Sequence, residues 1–137
     1  MLQDIIKQWD ANKARLEEYF KTTEQKEYCV SYLDIVKKIF ELVLTEKHYQ
    51  LKKITVVDDG DYQGTQIFLI PEGTYQPSVD EYIITHTYYG SCSGCDTLQG
   101  INGYKDGLPT DEQVKDYMVL ALHLVQRMKR LKDEKSN

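Results

Sequence analysis

The stretch Ile54-Thr55-Val56-Val57-Asp58-Asp59-Gly60-Asp61-Tyr62-Gln63-Gly64-Thr65-Gln66-Ile67-Phe68-Leu69-Ile70 decides the fold class. Its ends are β-branched and apolar, and its middle is a run of acids around a glycine. That pattern reads as a strand over Ile54–Val57, a turn at Asp58-Asp59-Gly60-Asp61, and a returning strand over Thr65–Ile70. Pro71-Glu72-Gly73 ends the second run, and Gln76-Pro77-Ser78 continues the loop. Glu81 to Tyr89, again rich in β-branched and aromatic residues, reads as a third strand. An antiparallel three-stranded meander is the simplest way to join them.

Upstream the hydrophobic period is helical. Leu2, Ile5, Ile6, Trp9, Leu16, Tyr19 and Phe20 recur at three- and four-residue steps with charges between them. Thr22-x-x-Gln25 has the form of a capping box for a second helix running to about Lys47. Tyr28, Cys29, Tyr32, Leu33, Val36, Ile39, Phe40 and Val43 form the stripe of that helix, with Cys29 reading as a small buried hydrophobe. Downstream, Thr110-Asp111-Glu112-Gln113 opens a last helix with a capping box and two acids suited to the dipole. Val114, Tyr117, Met118, Ala121, Val125 and Met128 are its core stripe. The segment from Cys92 to Pro109 holds Gly94, Gly100, Gly103 and Gly107 with little periodicity, and reads as a functional or a disordered loop. The expectation is an α+β fold with two N-terminal helices, a three-stranded antiparallel meander, a Gly-rich cysteine loop and a C-terminal helix. It forms a single domain over 1–137, with a helical part at 1–47 and the strands, cysteine loop and last helix at 51–137.

A chain of 137 residues is long enough to bury a core without disulfide staples. The net charge of -5 argues against a general nucleic-acid binder and suits a basic protein partner. Eleven tyrosines suit a sheet or an interface. Met1-Leu2-Gln3-Asp4-Ile5-Ile6-Lys7 lacks the apolar core of a signal peptide, and no window approaches a membrane span of about 20 apolar residues. A cytoplasmic, reducing environment follows as the expectation. There, paired thiols lean toward metal or redox use.

The pair is Cys92-Ser93-Gly94-Cys95, set in a Gly/Ser-rich turn directly after the third strand. The turn can bring both sulfurs to one cation, and a structural zinc site needs two more ligands. Antiparallel order places the Asp58-Asp59-Gly60-Asp61 turn at the same end of the sheet as the cysteines. Asp61 and His86, near that end, and His123 on the last helix are the candidates to join Cys92 and Cys95, while His48 belongs at the other end. Each has a plainer reading: Asp61 in a solvated turn, His86 as a cross-strand surface residue. At about 100° per residue, His123 lies opposite the main stripe of its helix, yet beside apolar Val119 and Leu120. A dithiol redox site is the competing chemistry. It lacks a surrounding βαβ pattern, but a short helix beginning near Asp96-Thr97-Leu98 would lower a thiol pKa. Phosphate-binding, dinucleotide, metalloprotease and serine-hydrolase motifs are absent from the sequence.

The runs Asp61-Tyr62-Gln63-Gly64-Thr65, Ile67 to Pro71, Tyr75-Gln76-Pro77-Ser78 and, above all, Tyr89-Gly90-Ser91-Cys92-Ser93-Gly94-Cys95-Asp96-Thr97-Leu98-Gln99 resemble a group of small bacteriophage and prophage proteins. The resemblance spans roughly the second half of the chain. It implies a phage protein, of a sort that includes zinc-binding type II-A anti-CRISPR inhibitors of Cas9. On that reading Cys92, Cys95 and His123 hold a structural zinc, and a protein surface blocks a host nuclease without turnover. An enzyme centred on the two cysteines, with His86 or His123 as base, is the alternative from a different class. A phage accessory protein whose zinc serves folding alone is the third reading.

Overall fold

Period-two alternation along the apolar runs sets which face of the sheet is covered. The computed structural model describes residues 2–25, 31–60, 64–73, 77–78, 81–90, 96–102 and 107–131. Within it, β1 (Thr55–Asp58), β2 (Gly64–Pro71) and β3 (Tyr82–Tyr89) form the antiparallel meander expected from the sequence. Phe68, Ile70, Ile83, Thr85 and Thr87 point inward and are buried. Ile67, Leu69, Ile84, His86 and Tyr88 occupy the other face and retain solvent contact.

Among the described residues the sheet has four strands rather than three. A short β4 (Lys129–Arg130) pairs antiparallel with Ile83 and Ile84, giving the order β1-β2-β3-β4. Two charged residues carry no strand signal of their own. They pair because α4 (Asp111–Gln126) ends beside β3, whose second edge offers unpaired backbone groups. Thr85 Oγ1 donates to Leu124 O at 2.7 Å and holds that helix end to the strand. Arg130 Nη1 then meets Glu72 Oε1 at 2.8 Å, tying β4 to the end of β2.

The helices form the covering layer. α1 (Leu2–Thr22) packs along α4, with α2 (Tyr32–Leu42) against both, and α4 rests on β3. Ile5, Trp9, Leu16 and Phe20 of α1 meet Ile35, Val36, Ile39 and Phe40 of α2 and the stripe of α4 in one core. Full burial of each such side chain contributes about 1.5–3 kcal/mol. The α4 start is as read from the sequence: Thr110 Oγ1 accepts from Gln113 N–H, and Gln113 reaches back to the Thr110 N–H.

The α2 start differs. Thr22 Oγ1 donates to Glu18 O and stays within the last turn of α1, so Thr22 and Gln25 form no box. The cap is Ser31, with Asp34 closing the box, and the helix ends at Leu42 rather than near Lys47. Two sequences of capping-box form lie nine positions apart, and the tertiary use of Gln25 decides between them. The Gly-rich segment likewise contains a helix, α3 (Thr97–Asn102), packed on α4.

Candidate functional site

The cysteine loop leaves the sheet at β3 and returns at α3, and one buried carboxylate joins the two ends. Gly90 N–H donates to Asp96 Oδ2 at 2.9 Å, closing the base of the 91–95 segment. The other oxygen, Asp96 Oδ1, accepts from the Tyr32 hydroxyl at 2.8 Å. That hydroxyl accepts in turn from Leu98 N–H at 3.1 Å. Asp96 is only 5% exposed. The start of α2, the exit of β3 and the entry of α3 therefore meet on one side chain.

A second hub anchors the far end of the Gly-rich segment. Gln25 and Gly107 exchange both backbone hydrogen bonds, at 2.6 and 3.0 Å. Gly107 adopts φ +91, a conformation that favours glycine. The Gln25 side chain accepts from the buried Tyr117 hydroxyl and donates to Gln113 Oε1 at 3.3 Å. Gln113 Nε2 donates to Ile101 O at 2.9 Å. The capping glutamine of α4 thus also fastens α3.

The two hubs and the sheet end hold tyrosines whose burial raises their pKa. Desolvation pushes Tyr117 and Tyr49 up to about 12, and burial raises Tyr32 as well. A raised folded pKa leaves the stabilisation complete below the unfolded value near 10 and removes it as pH climbs toward the folded one. Denaturant stability is therefore expected to be flat up to pH 10 and to fall steeply by about pH 12. The check is denaturant melts across that range beside ultraviolet titration of the phenolates. A flat profile to pH 12 would count against these burials.

The β1–β2 turn lies at the same end of the sheet as the cysteine loop, as antiparallel order requires. The Tyr89 hydroxyl donates to Asp58 Oδ1 and to Gly60 O. Asp58 also accepts from Gly60 N–H and from Gln66 Nε2, and Asp59 Oδ1 accepts from Thr65 N–H at 2.7 Å. At Gly64 a Cβ would meet Asp59 Oδ1 at 2.8 Å, so the tight turn needs a glycine there. The Tyr89 hydroxyl, then the Gly60 amide, hold the Asp58 carboxyl below its usual range. The turn is expected to be fully stabilised above the ordinary aspartate pKa and to loosen as pH falls through the lowered value. Asp58→Asn should flatten that acid limb in amide-exchange rates at Gly60.

Of the expected metal ligands, Cys92, Cys95 and Asp61 fall outside the described residues, as does Cys29. His86 projects from the outer face of β3, its ring edge-on to Tyr88. Arg127 Nη1 donates to His86 O at 3.2 Å and its guanidinium lies 5.9 Å from the Tyr88 ring. His123 is exposed on α4, which settles its sequence ambiguity in favour of solvent rather than core. It lies four residues before Arg127 and so shares its side of the helix. On that side, the Arg127 guanidinium borders Tyr88. His48 lies at the opposite end, its carbonyl accepting from Gly73 N–H at 2.7 Å. Among the described residues, no group of three or more His, Cys, Asp or Glu side chains converges.

Sequence reasoning passed over Asp96 and Gln25. Their signal was faint: an acid directly after the second cysteine, and a glutamine inside what resembled a cap. Among the described residues, no helix is long and apolar enough to cross a membrane. Comparison with family models, with characterised proteins and with solved structures returned no match to this chain.

Proposed function

We propose that this chain is a zinc-binding phage protein that binds and inhibits a host defence nuclease, most concretely an anti-CRISPR protein acting on Cas9 in the host cytoplasm. The observation that carries the site is the Asp96 clamp. It joins Gly90 to Asp96, the two described residues that flank the CxxC segment. Flanks tied together in this way suit a structural metal, whose binding energy would stabilise the fold. Cys92 and Cys95 supply two thiolates, and His123, exposed on α4, is the histidine proposed to join them. The zinc would fasten the loop to α4 beside the exposed Tyr88. The inhibitory role and the partner rest on the resemblance of the Tyr89–Gln99 string to phage proteins. The acidic balance of -5 suits docking on a basic, nucleic-acid-binding surface.

Elemental analysis of the purified protein, beside Cys92→Ser, Cys95→Ser and His123→Ala, tests the metal. One zinc per chain is expected, lost with thermal stability in both cysteine variants. Absence of metal, with the thiols cycling to a disulfide, would instead favour a redox dithiol next to the α3 N-terminus. Titration into a Cas9 cleavage assay tests the partner. Inhibition should saturate at one-to-one stoichiometry, and no affinity for any Cas9 would end that assignment.

A further inference from the structure

The outer strand β1 stands apart from the rest of the sheet. All of its residues are exposed, and Val56 and Val57 leave 37% and 46% of their surface in solvent. Among the described residues, its second edge is unpaired. Thr55–Asp58 contains neither proline nor lysine, the usual means of blunting an edge.

The register shows which backbone groups face outward. Asp59 N–H donates to Thr65 O at 3.2 Å, making these two a hydrogen-bonded pair. Such pairs alternate along an antiparallel ladder, so Val57 bonds to Ile67 and Thr55 to Leu69. The backbone groups of Ile54, Val56 and Asp58 therefore point away from β2. Ile54 is itself extended, with φ -63 and ψ 128, so it can continue a ladder.

We infer that β1 is the seam of a two-fold homodimer, pairing antiparallel with β1 of a second copy about Val56. In that register Val56 opposes its own counterpart and Ile54 opposes Asp58, which allows about six inter-chain hydrogen bonds. Thr55 then faces Val57 on the outer side, giving β-branched cross-strand pairs. The same symmetry brings Lys53, the last residue of the 3-10 turn that leads into the strand, to the level of Asp59 at both ends, because the two are equidistant from Val56. Cations precede this strand, at Lys52 and Lys53, and acids stand at its end and just beyond it, at Asp58 and Asp59. A strand charged in this way matches itself only when antiparallel. A second copy is therefore the occupant whose charge pattern the edge fits, and the product is one continuous sheet through both protomers. The seam is short, below about 1,200 Å² of buried surface, so the dimer is a weak one. This inference is independent of the zinc and of any nuclease partner.

Sedimentation across a concentration series, at low and high salt, tests it with the native chain, Val56→Pro and Lys53→Glu. The Val56 N–H faces the open edge, so proline there removes no bond to β2. Val56→Pro should raise the dimer dissociation constant at least about tenfold with unchanged circular dichroism. Lys53→Glu places a carboxylate against Asp59 and should weaken the dimer about three- to tenfold at low salt and little at high salt. A native chain that stays monomeric up to about 1 mM, or a dimer that folded Val56→Pro leaves intact, overturns the inference. Should Val56→Pro lose its fold, the salt-dependent response of Lys53→Glu decides, and its absence overturns the inference equally.

Discussion

Asp96→Ala is expected to cost about 3–5 kcal/mol of folding stability, because it removes an acceptor shared by two buried donors. The Gly90 N–H and the Tyr32 hydroxyl both end on this carboxylate. Each buried group left without a partner costs about 1–3 kcal/mol. For a chain of this size the melting temperature should fall by about 10–15 °C. Asp96→Asn should lie between, since an amide oxygen serves one donor while its NH2 opposes the other. Tyr32→Phe removes the hydroxyl that serves Leu98 N–H and Asp96 Oδ1, at about 1.5–3 kcal/mol. The double variant should cost clearly less than the sum of the singles, because both report one network. Additive losses, read from urea melts, would show that the clamp is not a unit. On the proposed zinc reading, Asp96→Ala should also weaken metal binding about 10–100-fold, as loss of a supporting interaction does.

Gln25→Ala is the second large effect, at about 2–3 kcal/mol. Its side chain satisfies the hydroxyl of Tyr117, which is only 2% exposed, and shares Gln113 with the carbonyl of Ile101. Alanine keeps the backbone exchange with Gly107 but leaves the phenol donor buried and unmatched. Amide-exchange protection should fall at Ile101 and at the start of α4, more than in the sheet. Tyr117→Phe removes the stranded donor, so adding it to Gln25→Ala should recover part of the loss. An unchanged melt in Gln25→Ala would show that the hub does not hold the segment.

The elements that were legible owe it to local causes. Alternation in Thr65–Ile70 and Glu81–Tyr89, the acidic turn around Gly60, and the Thr110–Gln113 box each act within a few residues. Their outcome therefore follows from neighbours in the chain. The end-to-end geometry was also readable: antiparallel order puts the Asp58–Asp59 turn beside the exit of β3, and Tyr89 bonds to that turn.

What stayed hidden depends on partners far along the chain. Ser31 rather than Thr22 caps α2 because Gln25 is drawn to Gly107 and Tyr117, the latter 92 positions away. Lys129–Arg130 becomes a strand only because α4 delivers it to the open edge of β3. Asp96 looks like an ordinary loop acid until Tyr32, 64 positions earlier, meets it. By itself the sequence determined the α+β class, the strand hairpin, the last helix and the CxxC pair, since hydrophobic period and turn chemistry are short-range. Tertiary structure alone decided the fourth strand, the true cap of α2 and the two buried hubs. Those rest on buried polar groups, each of which must find a partner wherever the fold brings one within reach.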